Sequence, residues 1–460
     1  MTTLGERPVG TGTHGTPGDG DPTRVFNLFA PLNPAAAVTA RSVRDVRDAI
    51  ARARAEGLGV RVHATGHASA TARPMEDSLL IRTALEGGVG IDARRRVARV
   101  PAGTRWGEVV DAAAPYGLAA AHGSSPTVGA VGYLLNGGLS MYARYTGLAA
   151  NSVLAVELVT ADGELRRVDA EHDPDLFWAV RGGGGGFGVV TAVEIALFPV
   201  AGVITGAAFW PAEHAARLLA RWQRWTLDAP SEATTSVRVM NLPKLPELPA
   251  ALTAGTVVCL DGVVVAPHGD DLAAARRMCE ELLTPLREVA DPLVDTWHEA
   301  GPAAVPDTHM DPPEPVPVLG DHLLLEELGE EGVAEFLRVT AGRADQALTV
   351  AELRQLGGAL SRGTPASGAL GRIDARYAYS GAGVPWDAAG EKRIRDHCAL
   401  VRRALSPWDT GRTAPTFVAT PEQPQGHLGA DDVRAVDRVR SRVDPSGLFR
   451  GDVAPGCSAP

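Results

Sequence analysis

Five consecutive glycines, residues 182–186, constrain this 460-residue chain more than any other feature. A run without Cβ atoms fits only where backbone turns sharply or lies close against something else. Residues 173–180 before it read as a short helix carrying Phe177 and Trp178, and residues 189–197 after it read as a strand. A dinucleotide-binding fingerprint needs the opposite order, strand then glycines then helix, so that reading fails. No GxxxxGK[ST] occurs, which removes the P-loop as well.

The remaining pattern predicts an α+β fold. Ser42 caps a helix, with Asp45 three residues on, Val43, Val46, Ile50 and Ala53 on one face, and Gly57 as its stop. Strands at 36–40 and 60–63 flank it, and a loop over 64–72 leaves the second strand's carboxyl end. Strands at 79–82 and 97–100 follow, then a helix through Trp106, Val109, Val110 and Ala113. The small-residue stretch 122–140 is too rich in glycine for an ordinary core element and reads as a ligand loop. Ala161-Asp162-Gly163 joins strands at 153–160 and 164–168 as a hairpin.

From about 202 the texture changes. A helix carries Leu218, Leu219, Trp222 and Trp225; strands fall at 236–242, 257–265, 348–356 and 372–379; helices fall near 272–284 and 388–405. A Pro-rich connection spans 302–317, and the Glu-bearing 323–331 reads as a solvated helix face. The expected organisation is a disordered segment 1–24, a first domain 25–200, and a second domain 201–419 built on an antiparallel sheet covered by helices. Residues 420–460, including a tail helix from 431, return to the first domain.

Composition narrows the partners. A net charge of −11 with no basic block argues against nucleic acid. The longest apolar stretch, around 256–266, is broken by Asp261 and is far short of the roughly 20 residues of a membrane span. Residues 1–22 lack the basic start and apolar core of a signal peptide, so the expected location is the cytoplasm. Cys259, Cys279, Cys398 and Cys457 lie far apart, without a CxxC pair, and read as inert thiols. His309 and His322 stand near acidic residues, but no HExxH spacing supports a metal, and Ser124 and Ser125 lack a GxSxG setting.

Three glycine clusters, Gly66, residues 129–138 and residues 182–188, imply one large cofactor touched at several points. A diphosphate near Thr65, Gly66, His67 and Ala68 would be met by main-chain N–H groups, which suits an acidic protein. His67 stands between Gly66 and Ala68 on a loop that follows a strand. Its neutral ring nitrogen is a competent nucleophile.

Four segments carry a family resemblance: residues 60–69 with Thr65-Gly66-His67-Ala68-Ser69, then Ser124-Ser125-Pro126-Thr127-Val128-Gly129, then Arg181 with the glycine run and Phe187-Gly188-Val189-Val190, and last Asp444-Pro445-Ser446-Gly447-Leu448-Phe449-Arg450. In this order they resemble berberine-bridge-enzyme-like FAD oxidoreductases of the vanillyl-alcohol-oxidase (PCMH) type. The resemblance implies FAD held by a single covalent 8α link at His67. It implies contacts along Thr65, Gly66, Ala68, Ser69, Ser125, Pro126, Thr127, Val128, Gly129, Gly132, Tyr133, Asn136, Gly137, Gly188, Val189 and Val190. Many relatives carry a second, cysteinyl link where Ser125 stands, and a hydroxyl is a far weaker nucleophile than a thiolate. Val128 matches an oxygen-gating position whose small side chain favours an oxidase. Tyr133 replaces a histidine near the ribityl chain.

The family's usual base, a tyrosine before the terminal helix, has no counterpart in residues 413–418, where Phe417 stands. Substitutes are sought on the second domain's strands: Glu352, which shares a face with Arg354, and Tyr377 and Tyr379, which share another. The expected activity is hydride transfer from a small organic substrate to flavin, with O2 as reoxidant and H2O2 as product. The alternatives are a non-oxidative cyclase or isomerase scaffolded by FAD, a flavin-dependent dehydrogenase, and a flavin-binding module without turnover. Substrate identity and oligomeric state stay open.

Overall fold

A computed structural model describes residues 20–246, 248–341 and 346–456. Most of the segment 1–24 and all of Cys457 lie outside the described residues, whereas residues 21–24 form a turn whose Pro22 carbonyl accepts from His63 Nε2 at 2.7 Å.

Among the described residues the amino-terminal lobe holds two larger sheets and the short antiparallel pair Leu118–Ala119 with Phe198–Pro199. The strands Ala36–Ala40 and Gly59–His63 flank Ser78–Thr83 in a parallel three-stranded sheet. The helix Val43–Glu56 crosses it, closed at its start by the reciprocal Ser42–Asp45 capping box and at its end by Gly57 in the left-handed region. Its buried face, Val46, Ala49, Ile50 and Ala53, packs on Leu79 and Ile81. Beside it an antiparallel sheet runs in the order Gly90–Asp92, Val97–Pro101, Val189–Ala196, Val153–Val159 and Leu165–Asp169. The last two strands are joined by the hairpin turn at Gly163, φ +83°.

The second lobe is an antiparallel sheet whose continuous path is Val294–Asp295, Gly202–Pro211, Val257–Ala266, Ala233–Met240, Val350–Gln355, Tyr377–Gly383 and Leu319–Leu325, with His298–Ala300 also pairing to Gly202–Pro211. The helices Ala215–Thr226, Leu272–Arg287, Gly329–Thr340 and Ala388–Leu405 cover one face, where Trp222, Phe336, Leu353 and Val401 are sealed. Each such side chain contributes roughly 2–3 kcal/mol of burial. The opposite face turns to the first lobe: Leu324 and Ala378 join its core, and Val203, Val263 and Val265 pack with Met141 and Tyr142.

The chain's end returns to the first lobe. Val60 pairs with Phe449, its N–H donating to Leu448 O at 2.7 Å, and the buried Arg61 meets Asp452.

Several expectations are corrected. The stretch 122–140 contains a helix, Ala130–Leu135, because its apolar Val131 and Leu134 find a core face that outweighs local glycine content. Residues 319–325 form a buried strand rather than part of a solvated helix, and only Glu330 and Glu331 lie in the first turn of the helix that follows. The last strand before the long helix begins at Tyr377, not at 372, and a strand at 202–211 had no distinct sequence signal. The glycine run is occupied by protein. A Cβ at Gly182 would meet Leu370 at 2.3 Å, one at Gly184 would meet Val453 O at 2.9 Å, and one at Gly186 would meet Arg440 Nε at 2.8 Å. The returning tail and the 370 loop therefore account for that cluster without a cofactor.

Candidate active site

The strand Gly59–His63 delivers the loop that carries His67. Gly66 adopts φ +75°, and a Cβ there would lie 2.5 Å from Val25 Cα, so only glycine lets the two segments touch. Phe26 N–H donates to Thr65 O at 3.1 Å, and the Phe26 ring stacks on His67 with centroids 3.8 Å apart.

The loop is bound from the other side by residues 124–129. His67 Nε2 lies 3.0 Å from Thr127 Oγ1, which lies 2.9 Å from Ser125 Oγ. Gly129 N–H donates to Thr65 Oγ1 at 3.2 Å. Burial lowers the His67 imidazole to about 4, against a smaller upward pull from Asp311. It is therefore neutral near pH 7, and in the tautomer that donates Nε2–H to Thr127 its Nδ1 keeps a lone pair.

Facing this loop is the polar side of the large sheet. Asp261, fully buried, accepts from Ser236 Oγ, from Arg238 Nη2 at 2.5 Å and from His309 Nδ1 at 2.8 Å. Burial alone would raise its carboxyl, but Arg238 and His309 hold it well below the usual carboxylate range. Glu352 accepts from Arg354 Nε at 2.7 Å, and its Oε2 lies 3.7 Å from His309 Nε2. The Arg354 guanidinium stands 5.5 Å from the Phe417 ring centre. Two residues beyond His309, Asp311 accepts from Ser124 Oγ at 2.6 Å. The segment 309–311 thus bridges the sheet's charged face and the His67 loop.

The structure brings Thr65, Gly66, His67, Ser125, Thr127 and Gly129 together, with Val128 half-buried beside them and Pro126 O accepting from Gly107 N–H. Ala68 is exposed on the loop, and Ser69 is buried with its hydroxyl on Asn27 O. A Cβ on Gly132 would meet nothing within 4 Å, whereas Gly137 would meet Leu370 at 2.8 Å and Gly188 would meet Val159 O at 2.5 Å. Tyr133 packs edge-on against Trp106, and Asn136 caps its own helix through Gly132 O. Val189 is sealed in the core under the parallel sheet, and Val190 is half-buried.

Of the three residues expected to carry catalysis, only Glu352 lies on the charged face. Tyr377 gives its hydroxyl to a 2.6 Å bond with Thr226 and packs on Trp222, while Tyr379 is fully buried near Phe336. Both belong to the helix-covered core, because strand alternation sends 377 and 379 opposite to Ala378. Arg238, Asp261, His309 and Asp311 were missed as site residues. For Arg238 and Asp261 the available signal was charge within otherwise apolar strands, since such residues are rarely sealed unless paired.

The residues present fit an oxygen-rich cofactor. Among the described residues, the Gly66, His67 and Ala68 N–H groups have no protein acceptor. The buried Tyr133 hydroxyl and Thr416 Oγ1 also lack a partner. Buried hydroxyls are rarely left unpaired, and oxygen-rich cofactor groups match these two hydroxyls and the loop N–H donors in kind. Among the described residues no cluster of side chains could hold a metal ion, and no helix is long and apolar enough to cross a membrane.

Comparison with known proteins agrees. A family model described as an FAD binding domain matches residues 34–169. The (R)-6-hydroxynicotine oxidase of Paenarthrobacter nicotinovorans is 37% identical over 171 residues, 36% of this chain and 37% of that one. An FAD-linked oxidoreductase of Bacillus subtilis, YvdP, is 31% identical over 215 residues, 46% of this chain and 48% of its own. The matched segments thus span less than half of these curated relatives. Among solved structures, Physcomitrella patens BBE-like 1 superposes with a TM-score of 0.78 at 18% identity, covering 95% of each chain. Residues 34–169 thus match an FAD binding domain, and the chain as a whole has the fold of Physcomitrella patens BBE-like 1.

Proposed function

We propose that the chain is an FAD-dependent oxidoreductase, and specifically an oxidase, acting on a small organic substrate held between the His67 loop and the charged face of the large sheet. The reading rests above all on His67, a neutral imidazole fixed through Thr127, with loop N–H groups beside it that have no protein acceptor. FAD, when bound, supplies the hydride acceptor and its reoxidation by O2 to give H2O2.

The chain's residues do the rest. Gly66, His67 and Ala68 offer main-chain donors to a diphosphate, and His67 Nδ1 is placed as the nucleophile for one covalent link. Ser125, already engaged by Thr127, offers no second. Thr65, Ser69, Pro126, Val128, Gly129, Gly132, Tyr133 and Asn136 line or brace the same cleft. Arg354 and Glu352 present a donor and an acceptor to the substrate beside Phe417. The names of relatives support oxidase chemistry, one acting on 6-hydroxynicotine and a similar fold being a chitooligosaccharide oxidase.

A visible spectrum of the purified protein before and after acid precipitation tests this. Flavin bands in the native protein, with colour retained in the pellet, are expected. A colourless protein that takes up no added FAD overturns the reading.

A further inference from the structure

We propose that His309, oriented by Asp261, is the proton acceptor for a substrate hydroxyl, a role for which the family resemblance implies a tyrosine that residues 413–418 lack. This deepens the oxidoreductase reading and rests on it.

A carboxylate can only accept, so the 2.8 Å contact with Asp261 fixes the proton of His309 on Nδ1. In the neutral ring the lone pair is then on Nε2, which has no hydrogen-bond partner among the described residues; Glu352 Oε2 lies 3.7 Å from it. Asp261 cannot turn away, since Ser236 and Arg238 hold its oxygens and it is fully buried. Arg238 Nη1 donates to the His309 main-chain oxygen at 2.9 Å, which fixes the backbone of the same residue. A carboxylate, an imidazole oriented by it and a ring nitrogen without a hydrogen-bond partner form the arrangement that general-base chemistry needs.

The other histidine on this face lacks that freedom. His322 Nδ1 donates to Tyr379 O at 2.7 Å, and its Nε2 accepts from Ala414 N–H at 3.3 Å, so both nitrogens are used.

In the step assigned, the substrate O–H bond breaks and an Nε2–H bond forms, its electron pair remaining on the substrate oxygen. Bound FAD would supply the two-electron oxidant, accepting the adjacent C–H hydrogen with its electron pair so that a C=O bond results. The imidazolium is stabilised by Asp261 and by Glu352. The charged groups facing it are Asp261, Glu352 and, two residues along, Asp311, opposed by Arg238 and by Arg354 behind Glu352.

The test uses purified FAD-loaded protein and 4-nitrophenol, a phenol whose colour reports its ionisation. Wild-type protein should lower the bound dye's pKa by about one unit, a roughly tenfold gain in phenolate at fixed pH. His309→Gln should abolish the shift while the flavin spectrum persists, and Asp261→Asn should reduce it. An unshifted dye on wild-type protein, an undiminished shift in His309→Gln, or a shift lost only in Glu352→Gln overturns the proposal. Absence of flavin from the wild-type protein overturns the underlying reading instead.

Discussion

The imidazole of His67 lies flat against the Phe26 ring, with centroids 3.8 Å apart and planes 13° from parallel. Thr127 at 3.0 Å fixes the remaining rotation, so the ring is positioned before any ligand arrives. If this ring carries the cofactor, His67→Ala should release FAD to the supernatant on acid precipitation, whereas wild-type flavin stays in the pellet. Flavin in the His67→Ala pellet would refute the attachment site.

Gly66→Ala should be much worse than an ordinary glycine substitution. It combines a left-handed φ with a Cβ 2.5 Å from Val25 Cα, so the loop must separate from residues 25–27. A loss of about 1–3 kcal/mol in stability, with weakened flavin binding, is expected from urea unfolding and flavin titration.

Arg238→Met leaves Asp261 charged and sealed without its main partner. Breaking a buried pair in this way costs about 3–5 kcal/mol, read as a fall in the denaturation midpoint. A change below about 1 kcal/mol would mean that Asp261 is neutral or solvated.

Tyr379→Phe should be nearly silent. Its hydroxyl is buried without a hydrogen bond, and removing it forfeits none. Tyr377→Phe loses the bond to Thr226 and should cost about 1 kcal/mol. A large loss of turnover in Tyr379→Phe, with folding intact, would return that tyrosine to the site.

Acid should destabilise the fold earlier than carboxylates alone would. Burial lowers His67, His122, His322 and His427 each from 6.5 to about 4. Between these values the unfolded chain binds more protons, so stability falls as pH drops from 6.5 toward 4, by at most about 1.4 kcal/mol per pH unit per histidine. Urea midpoints across that window should decline steadily. A flat profile down to pH 4 would show that these rings are not buried in solution.

Local periodicity alone located the first parallel unit, from the Ser42 cap to the Gly57 stop, and the Asp162-Gly163 turn, because caps and turns are decided within a few residues. The motif around His67 was equally legible, since it is contiguous. Which face of a strand meets the site was not. Glu352 and Tyr379 both stood as sequence candidates, and only the pairing of Leu353 with Tyr379 and the covering helices sent one to the charged face and the other to the core. The Asp261–His309 pair spans 48 positions and two elements, and the glycine run's true neighbours come from the far end of the chain. Contacts between distant segments depend on how sheets stack and how the tail returns, and no short window of sequence carries that information.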